Sequence, residues 1–338
     1  MKGLIVFDLD GVLADVSRSY RAVVHETSRR FFRLAPRWDE LPSRLFSYTE
    51  LARLKQGGGL NNDWDLTYRV IDLLTSLLGP LSADRHRDPW ERFQRTMGRL
   101  DLGPLLRFLA RWPEPLSELA RRPGRRKSPF VSSLCRGEVG GGNLVKQIFQ
   151  EVYLGAARFT ATYGLPPRAY RGRGFLERER LLAPPALLRR LASRHLLAIA
   201  TGRPEAEARY FLARFGLRSF FRQVLTLEDC QREERRVFRL EGRRVRRSKP
   251  HPFLLDALAG RLKARVEGKY YVGDMPDDMQ AALRSKKGFR PIGLVQAAPD
   301  REAARQRLLQ AGAQWVAEDF RELAEAFDVG PDRSSGPG

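Results

Sequence analysis

The sequence predicts an α/β protein: a doubly wound parallel sheet interrupted by a long, mostly helical insertion. Three observations predict it. A continuous apolar run, Leu4-Ile5-Val6-Phe7, stands at the start of the chain, as expected for a strand covered on both faces. Runs of the same kind return after residue 185 and alternate with helix-like segments. The stretch between carries apolar residues at three- and four-residue spacing instead.

Taken in order, the first strand is bounded by Gly3 and by the polar turn Asp8-Leu9-Asp10-Gly11. Helical periodicity follows over Ser17 to Phe32, Leu66 to Leu78, Trp90 to Arg99, Leu105 to Trp112 and Leu144 to Tyr163. Pro113 to Gly142, with four prolines and the glycines Gly140-Gly141-Gly142, reads as a long mobile surface loop. Strands then end at Thr201-Gly202 (Leu196 to Ala200) and Gly273-Asp274 (Tyr270 to Val272), with Pro291 to Val295 last. Helices are predicted over Pro204 to Phe215, from Asp277 to Leu283 and over Arg301 to Gln310; the first has proline near its start and Gly216 as its stop. The expected organisation is a Rossmann-like core over 1–14 and 185–328, a helical domain over 15–184 and a frayed tail over 329–338.

Composition narrows the function. A chain of 338 residues, 42% hydrophobic, is expected to form two packed domains rather than a disordered chain. No apolar run approaches the roughly 18–20 residues that cross a bilayer, and only four consecutive apolar residues precede Asp8. Cys135 and Cys230 give neither a disulfide framework nor zinc-ligand spacing, so the expectation is a soluble cytoplasmic protein. The net charge of +21 comes from nine lysines and 52 arginines against 40 acids. Neighbours such as Glu177-Arg178-Glu179-Arg180 favour surface ion-pair networks over a nucleic-acid footprint. Either way, the field concentrates anionic substrates.

Four short motifs sit at or near predicted strand ends: Asp8-Leu9-Asp10-Gly11, Thr201-Gly202, Lys249-Pro250-His251-Pro252 and Gly273-Asp274-Met275-Pro276-Asp277-Asp278. Ligands of open parallel sheets bind beyond those ends, so the four are expected to converge. Asp8, Asp10, Asp274 and Asp278 crowded together would repel unless a hard cation joined them, and oxygen ligands suit Mg²⁺. Thr201 with the adjacent backbone amides, including that of Gly202, and Lys249 can hold the oxygens of a transferring phosphoryl group. One carboxylate can serve as nucleophile, and a second, two residues along, as acid and base.

These residues resemble the four motifs of the haloacid dehalogenase superfamily, subfamily IA, over 1–14 and about 185–328. The resemblance implies a phosphatase fold with a helical cap that closes over the site, Mg²⁺ as cofactor and a small phosphate monoester as substrate. It implies Asp8 as nucleophile and metal ligand. Asp10 would be the acid/base, giving its backbone carbonyl to Mg²⁺. Thr201 and Gly202 would bind phosphate, Lys249 would steady its charge, and Asp274 and Asp278 would face the metal. A carboxylate at position 10 favours phosphate esters over halides or phosphonates. A phosphomutase on the same core, or an end-processing phosphatase that binds nucleic acid through its basic surface, is the alternative. No membrane partner is expected, and the protein is read as a monomer or homodimer.

Weaker candidates remain. Asn61-Asn62-Asp63-Trp64-Asp65 reads either as a helix cap or as a substrate-reading loop, with Asn62 a substrate contact. Arg18 and Tyr20 are expected at an exposed helix start, Arg203 in a surface salt bridge and His251 in a structural turn. Val237 to Val245 reads as a hairpin turning at Glu241-Gly242, with Phe238 and Leu240 facing inward and its many arginines outward.

Overall fold

The computed structural model describes residues 3–56, 63–79, 88–122, 127–262 and 266–329; the expected tail from 330 onward lies outside them. Contacts divide the chain into two units, Met1–Val16 with Arg180–Gly338, and Ser17–Glu179.

The first unit is built on a six-stranded parallel sheet. Its strands are β1 (Gly3–Phe7), β4 (Leu196–Ala200), β5 (Gln223–Leu225), β6 (Gly268–Gly273), β7 (Phe289–Leu294) and β8 (Trp315–Ala317), in the order β5-β4-β1-β6-β7-β8. Two short antiparallel strands, β2 (Ala14–Asp15) and β3 (Arg180–Leu181), pair where the chain leaves and re-enters this unit. β1 is buried throughout because helices cover both faces of the sheet. Leu4 and Val6 pack with Leu254, Leu255 and Leu258 of the helix Phe253–Leu262. Phe7 points the opposite way, stacked on Phe320 at 5.9 Å and edge-on to Phe221 at 6.2 Å.

The strand order positions the site. From β1 the sheet grows through β4 and β5 on one side and through β6, β7 and β8 on the other, so the winding reverses at β1. The register pairs Phe7 with both Ile199 and Val272. The residues after β1, β4 and β6 therefore emerge level with one another, where doubly wound sheets bind ligands.

Several elements of this unit differ from the sequence reading. Residues 227–241 form one helix, not a hairpin: Leu227–Glu241 opens on a capping box between Thr226 and Asp229 and stops at Gly242 in the left-handed conformation (φ 65°). Glu241-Gly242 is thus a helix end, where glycine takes a positive φ without a Cβ penalty. Phe238 and Leu240, expected to face inward, are exposed at 48% and 70%. The short strands β5 and β8 were not predicted; three residues give too little periodicity to read.

The second unit is helical, with Tyr20–Phe31, Asp63–Thr75 and Leu144–Tyr163 packed against one another. Tyr20 is buried, stacked on Tyr153 at 4.4 Å and Phe149 at 6.0 Å, which corrects its expected exposure; Arg18 is exposed. The stretch 113–142 is not one loop. It holds the helices Pro115–Arg121 and Pro129–Ser133, each with proline in its first turn. Buried carboxylates fix them. Glu50 Oε1 accepts from the amides of Leu116 (2.9 Å) and Ser117 (3.3 Å), and Asp72 Oδ1 accepts from that of Ser128 (2.9 Å). Those acids lie more than 50 residues upstream, so the anchoring is invisible to a local reading. The helix Tyr48–Gln56, also unpredicted, carries Glu50.

Within this unit burial lowers the His25 pKa from 6.5 to about 4, against the opposing pull of Glu26. The neutral ring is used: Nε2 accepts from the Leu45 amide at 2.7 Å. Since the folded pKa lies below the unfolded one, the unfolded chain takes up a proton first as pH falls, and stability drops between about pH 6.5 and 4. The full loss is about 3 kcal/mol. The expected result is a melting temperature that falls across this window in the wild type and less in His25→Gln; identical pH profiles by calorimetry would refute it.

Candidate active site

Asp8 follows β1 directly, and its amide donates to the Val272 carbonyl at 2.9 Å, extending the β1–β6 ladder by one bond. The chain then turns sharply. The amides of Leu13 and Ala14 both return to the Leu9 carbonyl, and that of Gly11 donates to the Ala14 carbonyl. Gly11 is required here for two reasons. Its φ is +76°, and a Cβ at this position would stand 2.0 Å from Asp274 Oδ2. The two acidic motifs are packed with no room for a methyl group between them.

Asp8, Asp274 and Asp278 bring ligand oxygens within 4.8 Å of one another. Lys249 joins them: its Nζ lies 2.8 Å from Asp8 Oδ2 and 2.6 Å from Asp278 Oδ1. Burial works against the ammonium, but Asp278 and Asp8 override it and hold the lysine well above its usual range. Asp278 is fully buried. Burial pushes its pKa up, Lys249 pulls it down, and Asp8 pushes it up again. Asp278 Oδ2 accepts from the Met275 amide at 3.1 Å, fixing the carboxylate at the first turn of the helix Pro276–Arg284.

Tyr271, inside β6, completes this arrangement. Its hydroxyl is 3.0 Å from the Ala200 carbonyl and 3.1 Å from Asp278 Oδ1, and burial followed by Asp278 raises its pKa well above the phenol range. It remains a neutral donor linking the ends of β4 and β6. Sequence reasoning took it for a core residue. The available signal was a phenol inside a strand buried on both faces, where the hydroxyl needs a partner.

Thr201 and Gly202 follow β4. The Thr201 amide donates to the Leu225 carbonyl at 3.0 Å, and its side-chain oxygen accepts from the Arg203 amide at 3.2 Å. Gly202 is exposed and faces open space. Arg203 corrects an expectation: it is not a surface residue but 2% exposed, with its guanidinium on Asp10 Oδ1. His251 sits in a turn as expected, its Nδ1 accepting from the Phe253 amide at 3.1 Å. Asn62 lies outside the described residues. Trp64 and Asp65 begin the helix Asp63–Thr75 and line a cavity of about 260 Å³ within the helical unit.

The donor set fits Mg²⁺. Three carboxylates converge, and Asp8 Oδ1 is buried without a hydrogen-bond partner among the described residues, a position that an ion would satisfy. Gly11→Ala is therefore expected to displace Asp274 and weaken Mg²⁺ binding about 10- to 100-fold. Millimolar Mg²⁺ should raise the melting temperature of the wild type and not of the variant; equal shifts would exclude this role for Gly11.

Residues 185–288 match the sequence profile of the haloacid dehalogenase-like hydrolases. Over 228 residues, 67% of the chain, the sequence is 25% identical to part of an imidazoleglycerol-phosphate dehydratase from Phytophthora nicotianae; the match takes in 32% of that protein, so the chain spans about a third of that relative's length. Among solved structures, a structural-genomics target superposes with a TM-score of 0.64 at 22% identity, covering 97% of this chain and 98% of the other. A phosphatase from Thermococcus thioreducens gives 0.54 at 20% identity, covering 97% and 99%. These two likenesses show the shared fold.

Proposed function

We propose that this chain, whose residues 185–288 match the haloacid dehalogenase-like hydrolases, is a Mg²⁺-dependent phosphatase of small phosphate monoesters, working through an aspartyl-phosphate on Asp8. The observation that carries the reading is the state of the Asp8 carboxylate. One oxygen is held by Lys249, while the other is buried and has no hydrogen-bond partner among the described residues. A carboxylate in a structural ion pair would have both oxygens satisfied.

In the first half of the reaction an Asp8 oxygen bonds to phosphorus as the bond to the leaving oxygen breaks, and Asp10 gives that oxygen its proton. In the second half Asp10 takes a proton from water. The water oxygen bonds to phosphorus, the bond to Asp8 breaks and inorganic phosphate leaves. Splitting the reaction this way replaces one difficult displacement with two easier ones. Lys249 balances the negative charge that gathers between Asp8 and the phosphoryl group. The Thr201 hydroxyl and the backbone beyond it, at exposed Gly202, hold the equatorial oxygens. Asp8, Asp274 and Asp278 would hold Mg²⁺, which when bound supplies positive charge to the phosphoryl oxygens.

The test is phosphate release from a panel of sugar phosphates, nucleotides and phosphoglycolate. Release is expected with Mg²⁺ and not with EDTA. Asp8→Asn is expected to lower turnover by at least about 10³-fold while binding of orthovanadate survives. Turnover retained in Asp8→Asn would remove Asp8 from the nucleophile role.

A further inference from the structure

Arg203 is an unusual use of a guanidinium. A group that stays charged at any pH is costly to bury unless it is paired. Here the arginine side chain is fully covered, while its partner Asp10 keeps 30% of its side chain exposed. The residue is fixed at several points. Its amide donates to Thr201 Oγ1, its carbonyl accepts from the Leu227 amide at 3.1 Å, and its guanidinium carbon lies 5.6 Å from the centre of the Phe211 ring in the helix Glu205–Arg214. The Asp10 side is equally fixed, because the turn 8–14 is closed by the amides returning to Leu9 and Ala14. A buried, immobile cation thus meets one oxygen of the carboxyl group that exchanges the proton.

We infer that Arg203 is a positioning residue for proton transfer: it holds Asp10 by Oδ1, so that a carboxyl of fixed orientation exchanges the proton with the leaving-group oxygen. The inference rests on the phosphatase reading of Asp10. The contact is compatible with both halves of the reaction. When Asp10 is protonated on Oδ2, Oδ1 is its carbonyl oxygen and still accepts from Arg203. When the proton has passed to the leaving group, the resulting carboxylate accepts more strongly, then recovers a proton from the attacking water. Because the same residue's amide occupies a lone pair of Thr201 Oγ1, Arg203 also orients the hydroxyl of the phosphate loop. One residue thereby sets the phosphoryl group and its proton donor relative to each other.

A positioning role and a merely structural one differ in how rate depends on the leaving group. A good leaving group such as p-nitrophenolate departs without a proton, whereas a poor one needs it. The experiment measures kcat/KM for aryl phosphates of graded leaving-group pKa, from p-nitrophenyl to phenyl phosphate, with Mg²⁺. It compares wild type, Asp10→Asn, Arg203→Gln and Arg203→Lys, with melting curves for each. kcat/KM is the quantity to read, because it stops at the first irreversible step and so isolates the half in which Asp10 acts as acid.

The expected result is a shallow dependence in the wild type and a steep one in both Asp10→Asn and Arg203→Gln. The loss should be within about tenfold on p-nitrophenyl phosphate and about 10²- to 10³-fold on phenyl phosphate. Arg203→Lys, which keeps the charge but not the planar fork, should fall between. If the Arg203 variants lower every substrate by one common factor while Asp10→Asn steepens the slope, the inference fails and the phosphatase reading stands. If Asp10→Asn leaves the slope unchanged, the acid role of Asp10 fails and the inference with it. If neither Arg203 variant folds, the residue is structural and the inference is overturned.

Discussion

Lys249 makes the rest of this site possible. Two buried carboxylates, Asp8 at 2.8 Å and Asp278 at 2.6 Å, share one ammonium, whose positive charge offsets their mutual repulsion. Burial and the neighbouring Asp8 push the Asp278 pKa up, and Lys249 is the charge that opposes them. The sheet in turn brings the two carboxylates together. Asp8 extends β1, Asp278 lies in the first turn of the helix that follows β6, and Tyr271 in β6 bonds across to Ala200 in β4. A register slip of one residue in any of these strands would turn its side chains to the opposite face.

A second ion pair, between Arg203 and Asp10, sits at the junction of the first two motifs and differs in kind. Lys249 offsets the charge of Asp8 and Asp278; Arg203 holds Asp10 in place. Together they give the doublet Asp8 and Asp10, two residues apart on one turn, distinct environments. Asp8 is almost wholly buried against a lysine, while Asp10 is partly open and gripped by one oxygen. Two like residues need such a difference in surroundings if one is to attack and the other to exchange protons.

The basic composition takes on a more ordinary aspect in the structure. Arg232 pairs with Asp229, Arg236 with Glu233, Arg209 with Glu205 and Arg37 with Glu40, all at helical spacing or on adjacent turns. These are surface networks of the kind expected of arginines interleaved with glutamates, each contributing little on its own. Buried acids carry more structural weight. Glu50 and Asp72 anchor the two short helices of 113–142, and Glu151 accepts from the amides of Ala169 and Tyr170. Each satisfies backbone donors far away in sequence that would otherwise be buried unpaired.

What the sequence determined by itself was whatever has a local signature. Apolar runs located β1, β4, β6 and β7, three- and four-residue spacing located the long helices, the motifs after the strands located Asp8, Thr201 and Asp274, and the Lys-Pro run located Lys249. These were legible because a strand buried on both faces has a composition of its own and because strand ends are where polar residues become possible. Gly242 shows the limit. The dipeptide Glu241-Gly242 fits a hairpin turn and a helix stop equally well, and only the capping box at Thr226 and the packing of 227–241 as one helix decide between them. Tertiary structure alone decided the burial of Arg203 and the partner of Tyr271, since both depend on what another strand brings within three ångströms. It also decided that the helices Pro115–Arg121 and Pro129–Ser133 form, because the carboxylates that hold them belong to helices formed far upstream. Periodicity records which face of an element is buried; the identity of the atoms it is buried against is fixed only when the elements meet.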